Sequence, residues 1–313
     1  MSEWIAERGI GETRLALVEG ERILSARMIR PERFVPGESV TAKLVQKRGG
    51  RGVAELDGRT ILVDPWPGSA TEGQTIDLVI TRSSIPERGR PRDAKARPAL
   101  LKGLSPSDAG EGPVDGDLSA HGWEELLEEA RTGVVPFLGG LLSIVPTPAG
   151  TTIDIDGDAR PLELAGRSAV ACADAVQRLN ITGSILIDFP SVEGRSDRVR
   201  IAQLFDEAMN EPFERTGING FGLMQVVRSR QQASLVELVQ NAPAESGALD
   251  LLRRAERSVA GPVLELRAGA KVSGWLAARS DLLAALEART RARVTMKAHG
   301  TDPLWWGDVH SAH

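Results

Sequence analysis

Two short runs of β-branched residues, each ending in an aspartate, constrain the fold of this chain more than any other feature. The first run reaches Asp154 and the second ends at Asp188. The segment between them, Leu162 to Leu179, has the apolar periodicity of one helix. Strand, helix and strand in this order predict a crossover unit with parallel, usually adjacent strands. We therefore expect Asp154 and Asp188 to lie side by side at the carboxyl edge of a sheet, where α/β proteins place their ligands.

The paired aspartates predict a metal site. A buried carboxylate without a partner is costly, so it needs a cation or a metal ion nearby. Two hard oxygen ligands on a rigid edge suit a magnesium ion that keeps several waters and takes a phosphate oxygen. Asp156 and Asp158 alternate with Asp154, so a continued strand would place all three on one face. Alternatively, Asp156 and Asp158 lie in the loop after the strand.

Composition places the chain among globular proteins. Its 313 residues, 41% hydrophobic and 26% charged, predict about two domains. The net charge of −5 does not by itself indicate a nucleic-acid partner. A single cysteine, Cys172, excludes a disulfide framework and a Cys-rich zinc site within one chain. Because no apolar stretch approaches the length of a membrane helix, we expect a soluble, cytoplasmic protein with no membrane partner.

The chain also contains a small β-rich segment, a linker and a separate C-terminal pattern. Residues 38–82 hold four or five short strands, typical of a small barrel of the OB type. Residues 83–118 are rich in Pro, Gly, Asp and Ser and predict a linker or mobile loop. From about residue 241, an order of helix, strand, two helices and strand predicts a small C-terminal domain.

Two groups of residues are candidates for phosphate binding. Three glycines precede an apolar strand that ends near Arg228 and Arg230, and these two arginines would share one face of that strand. The linker supplies a second basic group: Arg88, Arg90, Arg92, Lys95 and Arg97. For each group the alternative is a solvated surface without a binding role.

Three blocks of the sequence resemble the catalytic part of the ribonuclease E/G family. The blocks are residues 147–157, 182–189 and 220–230, in the order and spacing of that family, and they cover roughly residues 140–235. The resemblance implies a mixed α/β (α+β) protein with a DNase I-like catalytic layer on an RNase H-like layer. Its segments would be RNase H-like parts at 1–37 and 119–145, an inserted S1 barrel at 38–82, a basic linker at 83–118, the catalytic region at 146–240 and a C-terminal αβ domain at 241–313.

The resemblance also implies an activity. Asp154 and Asp188 would bind a catalytic Mg²⁺, or Mn²⁺ in its place, and Asp156 would help to orient the site. Gly220 and Phe221 belong to the block that would contact RNA. The family cuts single-stranded RNA by attack of a metal-activated water on the phosphodiester. The alternative that we retain is a non-catalytic RNA-binding relative that kept the fold.

The chain departs from the family pattern at several points. Residues 83–118 occupy the place of the 5′-sensor region, and no Cys-x-x-Cys pair follows the catalytic blocks. Gly220 stands where the family has an arginine, and the barrel segment Arg51 to Leu56 has no aromatic residue. We therefore expect a compact, short-form member without zinc, which is a monomer or homodimer and not a zinc-linked tetramer.

Overall fold

A computed structural model describes residues 2–87, 89, 91–99, 112–258, 261–300 and 303–312. The chain begins with an antiparallel sheet whose strands are β1 (Glu3–Arg8), β2 (Thr13–Glu19) and β3 (Arg22–Ile29). Gly20, with a φ of 62°, allows the two-residue turn between β2 and β3. Side chains along β2 alternate between more and less buried positions, which is the pattern of a strand with one face on a core.

A closed five-stranded barrel follows, which confirms the expectation of a small barrel. Its strands are β4 (Ser39–Arg48), β5 (Arg51–Leu56), β6 (Arg59–Val63), β7 (Thr75–Arg82) and β8 (Ala94–Pro98), in the spatial order β4-β5-β6-β8-β7. The fifth strand, β8, lies inside the segment that the sequence assigned to a linker. It pairs parallel to β6 and antiparallel to β7, so the barrel extends past residue 82.

A six-stranded sheet, the central sheet, follows the barrel. After the barrel, the chain forms β9 (Val114–Asp115) and α1 (Trp123–Thr132). The strands of the central sheet are β10 (Val134–Phe137), β11 (Gly140–Thr147), β12 (Gly150–Gly157), β13 (Gly183–Asp188), β14 (Glu214–Arg215) and β15 (Leu223–Arg228). Helix α2 (Pro161–Arg178) connects β12 to β13, and α3 (Arg195–Ala208) follows β13. The strand order is β10-β11-β12-β13-β15-β14, while β9 joins the first sheet beside β1. Strands β12 and β13 are parallel and adjacent, connected by α2, as the crossover pattern predicts.

Helix α2 joins the two sheets through one hydrophobic core. It contacts β3 of the first sheet and β11 of the central sheet, and its alanines and Cys172 are buried among residues from both. Ile153 and Ile185 point into this core. On the opposite face of the central sheet, Asp154 and Leu186 are exposed. The central sheet therefore has one covered face and one face open to solvent.

The C-terminal part is a small αβ unit with its own core. Helix α4 (Leu235–Asn241) precedes this unit and packs into the core of the two sheets. The unit consists of α5 (Pro243–Arg257), β16 (Val263–Gly269), α6 (Ala270–Ala277), α7 (Ser280–Thr290), β17 (Arg293–His299) and β18 (Gly307–Ala312). The expected order of helix, strand, two helices and strand is present from α5 to β17. Strand β18 adds a third, antiparallel strand beside β16. None of the helices in the described ranges is long and apolar enough to cross a membrane.

Buried ion pairs attach α5 to the first sheet. Glu12, 4% exposed, accepts hydrogen bonds from Arg14 Nε at 3.1 Å and Arg30 Nε at 3.0 Å. Arg14 also contacts Asp250 of α5 at 3.0 Å, and Arg30 contacts Glu245 of α5 at 2.8 Å. Burial alone would lower the pKa of Arg14, but the attraction of Glu12 and Asp250 outweighs it and raises that pKa.

Candidate functional site

Asp154 and Asp188 are direct neighbours at the carboxyl edge of the central sheet. In the parallel pairing of β12 with β13, Asp154 stands opposite Asp188, one residue beyond the pair formed by the buried Ile153 and Ile187. Because side chains alternate along a strand, both aspartates point away from the core, and both are exposed. The structure thus brings together the two side chains that the sequence singled out.

The two carboxylates affect each other electrostatically. Partial burial raises the pKa of Asp188, and the negative charge of Asp154 raises it further. Ionised together, the two groups repel each other. A divalent cation between them would remove this repulsion, and hard carboxylate oxygens are the ligands that magnesium prefers. The chemistry of the pair therefore fits a magnesium ion.

Asp156 lies further along β12 and does not complete a three-carboxylate cluster. It pairs with Leu141 of β11 and is exposed on the same face as Asp154. Within the part of the chain that the structure describes, no group of three His, Cys, Asp or Glu side chains is placed to hold a metal ion. If Asp154 and Asp188 were the protein ligands of a magnesium ion, water and substrate oxygens would fill most of its coordination positions.

A tight turn before β15 lies against Asp188. Phe189 N donates a hydrogen bond to Gly222 O at 3.0 Å. Gly222 has a φ of 92°, and a methyl group added there would lie 2.2 Å from Phe189 O and 3.5 Å from Asp188 Oδ1. Only glycine allows this close approach without a shift of the backbone. The glycine-rich block therefore lies directly against Asp188.

Asn219 fixes this turn, a role that the sequence analysis missed. Its Oδ1 accepts hydrogen bonds from Phe221 N at 2.9 Å and from Leu223 N at 3.1 Å. The Asn219-Gly220 pair is a turn signature that could have indicated this role. Gly220 is exposed, and the ring of Phe221 is 82% exposed. The turn thus holds an aromatic side chain in solvent, next to the carboxylate pair.

Arg228 is placed differently from the expectation of an exposed phosphate ligand. It is 5% exposed, and its Nη1 donates hydrogen bonds to Val176 O at 3.0 Å and Ile181 O at 2.7 Å. It also forms an ion pair with Glu211. Burial lowers the pKa of Arg228, and Glu211 partly offsets this effect. These partners give Arg228 a structural role at the end of the sheet opposite to Asp188.

Arg230 lies beyond the end of β15 and is paired with two carboxylates. It contacts Glu237, and also Glu87 at 3.1 Å. Since β15 ends at Arg228, the two arginines do not share one strand face. The guanidinium groups of Arg228 and Arg230 are both occupied by protein groups in this structure.

Two of the five basic residues of the expected linker, Lys95 and Arg97, belong to the barrel. Arg92 forms an ion pair with Glu87 at 2.6 Å, and Lys95 forms one with Asp64 at 2.8 Å. Lys95 and Arg97 alternate with buried alanines on β8. Arg88 and Arg90 lie outside the described residues. Phosphate binding by this group stays a prediction. Lys95 and Arg97 would bind phosphate from a strand of the barrel and not from a linker.

Two curated proteins are similar to part of this chain. Ribonuclease E from Nostoc sp. is 28% identical over 123 residues, which covers 36% of this chain and 18% of that protein. Ribonuclease G from Haemophilus influenzae is 35% identical over 109 residues, which covers 31% of this chain and 22% of that protein. The matches thus span about a fifth of the length of each relative. No family model matches the chain. The two similarities confirm that the chain resembles the ribonuclease E/G family, over about a third of its length.

Proposed function

We propose that this chain is a magnesium-dependent endoribonuclease that cleaves single-stranded RNA. One observation carries the proposal: Asp154 and Asp188 stand side by side on neighbouring parallel strands, at an open sheet edge. The similarity to ribonucleases E and G supports the same chemistry. The finer fold assignment belongs to this proposal, namely a DNase I-like layer around the central sheet, an RNase H-like layer around the first sheet, and an S1 barrel.

In this proposal Asp154 and Asp188 hold the metal ion, with Mg²⁺ or Mn²⁺ as the candidates, and Asp156 orients the site. Bound magnesium would activate a water for attack on the phosphodiester and neutralise the charge that develops there. The protein contributes rigid positions, because backbone pairing of β12 with β13 fixes the spacing of the two aspartates. The turn at Gly222 closes one side of the pair and presents Phe221 to the substrate.

Magnesium is expected to stabilise the folded chain through this pair. The raised pKa of Asp188 means that the folded state binds a proton more tightly than the unfolded state, so ionisation of this group costs stability as the pH rises. At neutral pH, Mg²⁺ at ten times its dissociation constant should add about 1.4 kcal/mol to the free energy of unfolding. The gain should shrink as the pH falls toward the raised pKa, because protons then compete with the metal. Thermal unfolding with and without Mg²⁺ measures both effects.

The matched controls are Asp188→Asn and Asp57→Asn. Asp57 is exposed in a turn of the barrel, far along the chain from the pair. We expect Asp57→Asn to keep the full response to Mg²⁺ and Asp188→Asn to lose it. Equal responses of these two variants would exclude Asp188 as a metal ligand.

Phe221 is expected to contribute to RNA binding by stacking on a base. Phe221→Ala should weaken the binding of single-stranded RNA by about 1–3 kcal/mol. Its thermal stability should stay unchanged, since the ring is 82% exposed. The control is Leu138→Ala, which removes another apolar side chain, 78% exposed, in the turn between β10 and β11. Affinities measured by fluorescence anisotropy should fall for Phe221→Ala alone, and equal affinities of the two variants would contradict the stacking role.

Circular and linear single-stranded RNA, incubated with Mg²⁺ or with EDTA, test the proposed activity directly. An endoribonuclease opens the circle in Mg²⁺ and leaves it intact in EDTA. Binding of RNA without cleavage in either condition would instead establish the alternative of a non-catalytic RNA-binding relative. Hydrolysis of small phosphodiesters with intact RNA would indicate a phosphodiesterase of another class.

A further inference from the structure

A basic cleft lies on the other side of the turn that carries Phe221. It has a volume of about 480 Å³ and runs between α3 and the segment after β14. Its charged and polar lining includes Arg195, Arg198, Asp206, Arg215 and Asn219. The sequence pattern of α3 indicates an amphipathic helix, but it does not indicate a binding role. In the structure, charged residues of this helix line the cleft.

The cleft carries an excess of positive charge. Of its three arginines, Arg215 is neutralised by Asp206, with Nε 2.6 Å from Oδ1. Among the described residues, Arg198 donates hydrogen bonds to the carbonyl oxygens of Val192 and Glu193, both at 2.7 Å, and neutral carbonyls leave its charge uncompensated. Arg195 is exposed and has no hydrogen bond or ion pair to any described residue. Two arginine charges are therefore available to an anionic ligand.

The cleft and Asp188 share one turn. Asn219 and Gly220 line it, while Phe221 and Gly222 follow on the same turn, and Gly222 lies against Asp188. The bonds from Arg198 also hold the loop that leaves β13 after Asp188. One turn therefore links the cleft, through Asn219 and Gly220, with Asp188, through Gly222.

We propose that this cleft is a second subsite for single-stranded RNA, which binds the phosphates of nucleotides flanking the cleaved bond. Guanidinium groups suit phosphate oxygens, and the partly exposed Val199 offers an apolar surface to a sugar or base. Recognition of this kind follows the backbone and does not read sequence. The inference rests on the proposed function for the identity of the substrate. It assigns phosphate binding to arginines of α3, because Arg228 is bound to protein groups.

Charge reversal at one position of α3 tests the subsite. Arg195→Glu places a negative charge in the cleft, whereas Arg200→Glu makes the same change at an exposed position of α3 that does not line it. Binding is measured in EDTA with a labelled single strand of about 12 nucleotides, a length within the usual range of such sites. We expect Arg195→Glu to raise the dissociation constant about tenfold, and Arg200→Glu to raise it less than about twofold. The slope of log affinity against log salt should fall by about 0.7 for each phosphate that the variant no longer binds.

The outcomes separate this inference from the proposed function. If the wild-type chain fails to cleave RNA in Mg²⁺ but Arg195→Glu loses binding selectively, the subsite stands and the endoribonuclease assignment fails. If the wild-type chain cleaves and the two variants bind RNA with equal affinity and equal salt slopes, the subsite is overturned and the cleavage site stands. Because both side chains are exposed, thermal unfolding should show the same stability for the two variants.

Discussion

Asp188→Asn is expected to reduce RNA cleavage at least about a thousandfold, which corresponds to about 4 kcal/mol of activation free energy. The change removes one of the two carboxylates that face each other across β12 and β13. The fold should survive, because the side chain is exposed and its ionisation is opposed by Asp154. Thermal stability should therefore stay the same or rise slightly. Single-turnover cleavage and thermal unfolding of the same preparation measure the two effects.

Asp154→Asn should behave in the same way, and Asp156→Asn serves as the matched control. Asp156 is on the same face of β12, but it lies opposite Leu141 and not opposite a carboxylate. Since an amide keeps its ability to accept hydrogen bonds, this variant should lose much less activity than the other two. Near-normal turnover of Asp154→Asn or Asp188→Asn at ordinary magnesium concentrations would remove the metal assignment.

Glu12→Gln is expected to lower the free energy of unfolding by about 3–5 kcal/mol, the largest stability change that we foresee. Glu12 is the shared acceptor of Arg14 and Arg30, and all three side chains are nearly inaccessible to solvent. A neutral amide would leave two guanidinium groups buried with too little negative charge around them. The substitution should loosen the attachment of α5 to the first sheet. Urea denaturation, followed by circular dichroism, measures the change.

The control for Glu12 is an ion pair on the surface. Arg8 and Asp115 contact each other at 2.8 Å, but their side chains are 60% and 74% exposed. Asp115→Asn should therefore cost less than about 1 kcal/mol. If Asp115→Asn and Glu12→Gln lower the free energy of unfolding by similar amounts, burial does not strengthen the contribution of the Glu12 ion pairs to stability.

The carboxylate pair could be predicted from the sequence because its signal is local. Each strand is a run of β-branched residues, the helix between them has a clear apolar face, and a crossover of this kind makes parallel neighbours. The helix expected from Leu162 to Leu179 is observed as Pro161–Arg178. These local patterns predict two parallel, adjacent strands with an aspartate at the end of each. The observed pairing of Asp154 with Asp188 agrees with that prediction.

Strand β8 shows where local signals end. Its sequence, Ala-Lys-Ala-Arg-Pro, has small residues on its buried side and lacks the β-branched residues that mark a strand. It is a strand of the barrel because its backbone pairs with β6 on one side and with β7 on the other. Proline and charge in the flanking residues suggested a linker, and the long-range pairing overrode that local tendency.

Burial of arginine was equally hidden from the sequence. Arg228 is held by Glu211 and by two carbonyl oxygens of Val176 and Ile181, all distant in the chain. Nothing in the run Val227 to Arg230 shows that these acceptors converge on one of its side chains. The same reason explains why Asp250 and Glu245 of α5 could not be foreseen as the partners of Arg14 and Arg30.

The most direct test of the central claim is a magnesium titration of RNA cleavage by the purified chain. A circular, labelled single-stranded RNA is incubated with the wild-type protein and with Asp154→Asn, starting in EDTA and adding free Mg²⁺. The paired carboxylates predict no cleavage in EDTA, a saturable rise of the wild-type rate with Mg²⁺, and no comparable rise for the variant. Cleavage of the circle by the wild-type chain in EDTA, or equal rates of the two proteins in Mg²⁺, would contradict the assignment of a metal site to this pair.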